Sequence, residues 1–220
     1  MNIIVTGATG MVGSELVRQA IKDKQIESIT AIARSSLPVQ HPKLKTVIHQ
    51  NFLDYTGLET EFRNNDACLW CLGISQTQVS KEQYYNITHN FTVAAANAML
   101  KANPSIIFVF LSGDGADSTE KSRIRFAWVK GKTENELRKM PFKKLVIARP
   151  GGIKPIDKSR HTTFYKKIEL AAIGLMEWLR PSSVITADHL PRVMLYLAKN
   201  PTDRIVFEND LLRMISPPGQ

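Results

Sequence analysis

Two hundred and twenty residues, 43% apolar and 22% charged, fit an ordinary globular chain of one large or two small domains. Such a composition excludes collagen-like, mucin-like and largely disordered classes, and two cysteines exclude a disulfide-built scaffold. The net charge of +9 is uneven: residues 1–110 carry 9 Lys+Arg against 8 Asp+Glu (+1), and residues 111–220 carry 20 against 12 (+8). The basic residues are scattered and no helical pattern carries a dense Lys/Arg stripe. The excess therefore reads as a solvated face with sites for an anionic cofactor, with no nucleic acid as partner.

No basic stretch precedes an apolar core at the N-terminus, and no apolar run nears the ~18 residues of a membrane span. The longest clean run is Leu170–Met176. A reducing cytoplasm is the expected setting. Strands are expected at Asn2–Thr6, Ser28–Ala33, Thr46–His49, Ala67–Leu72, Ser105–Leu111, Lys144–Arg149 and Arg204–Glu208. Runs such as Ile106-Ile107-Phe108-Val109-Phe110-Leu111 read as strands covered on both faces. Helical patterns lie between them. Val12, Leu16, Val17, Ala20 and Ile21 form one face of a helix ending near Lys22. Others run from about Lys81 to Ala102, from about Arg125 to Lys139, and from Thr186, an expected N-cap, to Asn200-Pro201. Alternating β and α over some 150 residues predicts an α/β fold with a doubly wound parallel sheet, the Rossmann arrangement. One domain is expected over 1–220, with a small irregular substrate-side lobe or lid at 151–185.

The most informative stretch is Val5-Thr6-Gly7-Ala8-Thr9-Gly10-Met11-Val12-Gly13, which leaves the first strand and opens the first helix. Gly7 permits the tight exit, Gly10 lets backbone approach a pyrophosphate, and Gly13 lets helix pack on strand. Free N–H groups of the first turn, around Thr9, Met11 and Val12, then face the phosphates. With its Gly-x-x-Gly-x-x-Gly spacing, TGATGMVG resembles the short-chain dehydrogenase/reductase superfamily, most closely its extended and atypical branches.

The second strand ends at Ala33-Arg34 where an acidic residue would favour NAD. A guanidinium there suits a 2′-phosphate, so NADP(H) is expected over NAD(H). Asn51 and Phe52 stand where relatives place an Asp and an aliphatic residue beside adenine. An Asn carbonyl can accept from the adenine amino group, and Phe52 can cover a ring face. Leu72 and Gly73 would flank the cofactor ribose. Cys68 and Cys71 form a C-x-x-C inside a strand, on opposite faces, so no metal site is expected.

In ordinary members of this superfamily a Ser follows the fifth strand and a Tyr-x-x-x-Lys lies on the next helix, sharing one face. The Lys lowers the tyrosine pKa, the Tyr exchanges a proton with substrate, and the Ser holds the substrate oxygen. Here Ser112 and Lys130 occupy those places, and the tyrosine position is Phe126. Ser112, Gly115-Ala116-Asp117, Lys130-Gly131 and Glu134 resemble an atypical group that includes a tumour-suppressor-like oxidoreductase homologue. The resemblance implies Ser112 and Lys130 as catalytic residues, with Lys130 also bonding the cofactor ribose. It places the backbone of Gly152 and Ile153 at the nicotinamide carboxamide. Tyr84, Tyr85, Asp114, His161 and Tyr165 are the residue types able to replace the missing proton donor. The expected function is an NADP(H)-dependent oxidoreductase acting on an unknown small molecule. The alternatives are a non-catalytic NADP(H)-binding sensor or protein-interaction module, and a sugar-nucleotide epimerase or dehydratase. The short stretch after Pro150 leaves the epimerase little room.

Overall fold

The computed structural model describes residues 1–155 and 181–218. Strands β1 (Asn2–Thr6), β2 (Ser28–Ala33), β3 (Leu44–Ile48), β4 (Ala67–Trp70), β5 (Ile107–Leu111), β6 (Lys144–Arg149) and β9 (Val206–Glu208) form a seven-stranded sheet in the order β3-β2-β1-β4-β5-β6-β9. Every pairing is parallel, from Ile4↔Thr30 on one side of β1 to Ile4↔Cys68 on the other. The fold is the doubly wound α/β sheet expected above. Strand order reverses between β1 and β4, the switch point at which such sheets open a ligand crevice.

The apolar runs are explained by burial on both faces. Ile3, Val5, Leu69, Val109 and Val146 point into a layer with helix α1 (Met11–Lys22) and helix α6 (His189–Lys199). Ile4, Trp70, Phe108, Phe110 and Ile147 point the other way, into a layer with helix α4 (Phe91–Ala102) and Leu137 of helix α5 (Arg125–Arg138). The first layer is built largely of Ala, Val and Leu, and the second holds most of the aromatic rings.

Boundaries differ from expectation in instructive ways. The pattern from Lys81 to Ala102 is helical throughout, but it divides into helix α3 (Lys81–Tyr85), a π-turn at Asn86–Asn90, and α4. Ser80 and Gln83 start it with a reciprocal capping box. Asn103 ends it and ties its side-chain amide to the Asn65 carbonyl at 2.8 Å. The last long helix begins at His189 with Asp188, not Thr186, in the cap position. The Thr186 hydroxyl still accepts the His189 N–H at 3.2 Å. Two short helices were not anticipated, α2 (Glu59–Arg63) and α7 (Asn209–Met214). Nor were strands β7 (Gly152–Lys154) and β8 (Val184–Thr186), which pair with each other. The apolar run Leu170–Met176 and most of the expected lobe at 151–185 lie outside the described residues. Among the described residues no helix is long and apolar enough to cross a membrane.

Candidate cofactor cleft and catalytic position

The turn after β1 is built by backbone contact. Gly7 has φ +65°, and a Cβ there would lie 2.4 Å from the Cys71 carbonyl oxygen. A Cβ on Gly13 would lie 2.2 Å from the Gly7 oxygen, so α1 sits directly on the turn. The Gly10 N–H closes the turn on the Gly7 carbonyl at 2.8 Å. Gly10 is also the N-cap of α1, with no side-chain cap and no acidic residue in the first turn. The amides of Met11, Val12 and Gly13 therefore have no acceptor within the helix. Thr9, Gly10 and Met11 are exposed around them, while the Val12 side chain is buried. Val12 can offer a ligand only its amide. An uncapped positive helix end lying against bare backbone at the switch point fits a dinucleotide diphosphate.

At the end of β2, Arg34 is exposed and makes no ion pair among the described residues; only its carbonyl is bonded, by the Gln50 amide at 2.6 Å. The adenine side needs correction. Phe52 is 3% exposed and packs among His49, Tyr55 and Phe91, so its ring is spent on the core. The Asn51 side-chain oxygen accepts the Leu53 N–H at 3.2 Å, in a turn that leaves Leu53 at the surface. Two of these neighbours are three residues away, but Phe91, which stacks on the ring, comes from a distant helix that no local pattern brings to Phe52. Leu72 is tied by its N–H to the Thr6 hydroxyl at 3.2 Å, and Gly73 is exposed with open space beside its Cα. Gly152 and Ile153 lie in β7. Gly151, just before them, meets the Ser183 carbonyl so closely that a Cβ would sit 2.0 Å from it.

The catalytic position brings Ser112, Phe126 and Lys130 together around the end of β5. Lys130 is 8% exposed, donates to the Leu111 carbonyl at 2.8 Å and lies 4.7 Å over the Phe110 ring. Burial pushes its pKa down to about 8, against the opposing pull of Glu134 and Cys71. The Phe126 ring rests on Gly113, where a Cβ would be 2.5 Å from ring carbon Cζ. Ser112 is buried, and its hydroxyl donates to Glu134 Oε1 at 2.5 Å. That hydrogen is committed, so Ser112 cannot also donate to a substrate oxygen in this geometry. Glu134, fully buried, is gripped by Arg149 through Nε at 2.9 Å and Nη2 at 2.5 Å, and by Arg138 at 3.3 Å. Its hydrogen bonds hold the Arg149 guanidinium well above its ordinary pKa. The sequence signal for this anchor was a charged residue four positions after Lys130 on a buried helix face.

Of the alternative proton donors, Tyr84 is buried, with burial raising its pKa; Tyr85 stacks on Trp128, and Asp114 is exposed. His161 and Tyr165 lie outside the described residues. Cys68 and Cys71 are free thiols, burial pushing the Cys71 pKa up to about 12. No cluster of His, Cys, Asp or Glu fit for a metal occurs among the described residues.

The model of the NAD(P)H-binding family matches residues 7–169, from the glycine turn past the catalytic position. The mitochondrial protein FMP52 of Kluyveromyces lactis is 31% identical over 160 residues, 70% of this chain and 67% of that protein. Protein HTATIP2 of Rattus norvegicus is 24% identical over 153 residues, 68% of this chain and 62% of that one. In fold, the chain is similar to a short chain dehydrogenase family protein from Francisella tularensis, with a TM-score of 0.65 at 13% identity over 97% of this chain and 99% of that one. The chain belongs to the NAD(P)H-binding family, in the atypical short-chain dehydrogenase/reductase-like group.

Proposed function

We propose that the chain is an NADP(H)-dependent oxidoreductase that reduces a small carbonyl substrate without a tyrosine proton donor. The observation that carries this reading is the placement of an uncapped helix end after β1, exposed Arg34 after β2 and buried Lys130 against the end of β5, all at the carboxyl edge of one parallel sheet. The amides of Met11, Val12 and Gly13 would hold the diphosphate, and Arg34 the 2′-phosphate. Gly152 and Ile153 would offer backbone to the carboxamide. Leu72 and Gly73 would border the ribose.

When bound, the dinucleotide supplies a hydride to the carbonyl carbon. The proton for the carbonyl oxygen must come from this chain or from water. Lys130 lies one helical turn from Phe126 on the same face. With a pKa of about 8 its ammonium can release a proton near neutral pH, directly or through one water, and regain it from solvent. Ser112, bonded to Glu134, offers lone pairs and fixes the end of β5. Phe126 seals the Gly113 backbone and contributes no proton.

The free thiols fit a reducing compartment, and we assign the cytoplasm; fractionation against mitochondrial markers checks it. Fluorescence titration should give NADPH a dissociation constant at least tenfold below that of NADH. A carbonyl panel should show slow NADPH oxidation that rises at least tenfold in Phe126→Tyr, since a positioned acid contributes ~10²–10⁴ in rate. Tight NADPH binding with no turnover by either form would instead favour the sensor.

A further inference from the structure

A groove of about 790 Å³ opens between the segment following β4 and the start of α5. Its walls include Gln76, Lys81, Ser122, Arg123, Arg125 and Trp128. Three of these are cations and none is acidic. No ion pair engages Lys81, Arg123 or Arg125 among the described residues. The Asp117 carboxylate touches this wall through the Ser122 N–H at 2.7 Å. It is also occupied by the N–H and hydroxyl of Thr119 and by the Lys121 N–H, so its charge serves the loop.

Arg125 is held in place on one side only. Its Nη1 donates to the Gln76 carbonyl at 3.3 Å, while Nε is shielded from solvent and has no acceptor. Facing the groove, this unpaired donor is open to an acceptor from outside the fold. Trp128 stacks on Tyr85 at 5.6 Å and gives the groove a stiff apolar side. The groove also joins the catalytic position through the backbone. Gln76 Oε1 accepts the Phe126 N–H at 3.1 Å, and Arg125 is the preceding residue. Gln76 follows Gly73, the residue placed at the ribose above, at the carboxyl end of the sheet where such folds bind ligands.

We propose that this groove binds the oxyanion of the substrate, a carboxylate or phosphate carried by the carbonyl compound. The proposal rests on the oxidoreductase reading for the reacting end and supplies the substrate class. Arg125 would take the oxyanion through its planar fork, and Lys81 and Arg123 would add point charges at the rim.

The test uses the full chain saturated with NADPH, so that the diphosphate site is filled. Inorganic phosphate is titrated at low salt and followed by ³¹P line broadening. Phosphate should bind, and the double variant Lys81→Gln/Arg123→Gln should weaken it at least tenfold while NADPH affinity stays within twofold. Arg125→Lys, which keeps charge but loses the fork, should weaken it too. Turnover of an α-keto acid should exceed that of its methyl ester at least tenfold, and the double variant should erase that preference through KM. Phosphate binding equal in wild type and variant would overturn the proposal. So would ester and acid turned over equally, or duplex DNA competing out phosphate in a variant-sensitive way. If phosphate binds as stated and no carbonyl is reduced, the groove stands and the oxidoreductase reading falls. If NADPH does not bind, the oxidoreductase reading fails on its own.

Discussion

At the scale of single residues, Lys130 carries the sharpest tension. Its ammonium is buried against Phe110 with one carbonyl partner, and its pKa sits near 8 instead of the ordinary 10.5. A folded pKa below the unfolded one means the native state binds fewer protons between those values. Stability therefore rises with pH across about 8 to 10.5 and carries the whole deficit below 8. The shift corresponds to about 3 kcal/mol. Lys130→Met should accordingly raise the stability of the cofactor-free protein at pH 7 by about 1–3 kcal/mol, the lower figure allowing for the orphaned Leu111 carbonyl. Turnover should fall at the same time. Urea melts at pH 7 and pH 10 check it: the gain should shrink at the higher pH, and a variant less stable than wild type at pH 7 refutes the buried-ammonium account. Arg34 is the opposite case, an exposed cation with nothing to lose. Arg34→Ala should raise the NADPH dissociation constant by about tenfold or more, since charge-assisted bonds contribute about 1.5–3 kcal/mol, and leave NADH within twofold. Equal loss for both cofactors would remove Arg34 from the 2′-phosphate.

At the scale of elements, α5 is locked to the loop before it by one glycine. A Cβ on Gly131 would lie 1.8 Å from the Asp117 carbonyl oxygen, and the Asp117 N–H bonds the Ala127 carbonyl at 2.9 Å. Hydrogen bonds from Thr119, Lys121 and Ser122 hold the Asp117 carboxyl down at about 2. Gly131→Ala has no flexible side chain to push aside, only backbone. It should cost about 3 kcal/mol or more, at the upper end of overpacking penalties, measurable as a lower urea midpoint with unchanged slope. How much of this was legible depended on range. The glycine turn and the strands announced themselves because each signal lies within a few neighbouring residues. The π-turn at Asn86–Asn90 left no trace, because Asn-Ile-Thr-His-Asn reads as ordinary helix while one extra residue slips into the ladder. The pairing of Glu134 with Arg149, and the burial of Phe52 under Phe91, join residues far apart in the chain. β7 and β8, three residues each, are too short to show a period.

At the scale of the whole molecule, the parallel sheet explains why both faces read apolar, and its order turns between β1 and β4, where such sheets bind ligands. The expected excess of +8 in residues 111–220 gains a partial location: Arg123 and Arg125 line the groove, Lys130 is tied to the end of β5, and Arg149, at the end of β6, pairs with Glu134. None of the other described Lys and Arg of this half is buried.

The last strand of the sheet, β9, comes from Val206–Glu208, and among the described residues it is the strand that pairs with the outer side of β6. Its Glu208 also reaches Arg149 at 2.8 Å. During synthesis β6 therefore keeps an unpaired flank until residues 206–208 have left the ribosome. A protein cut after residue 203 would present that flank to its own copies. It should precipitate on expression where the full chain stays in the supernatant, and a co-expressed peptide spanning 204–218 should restore part of the yield.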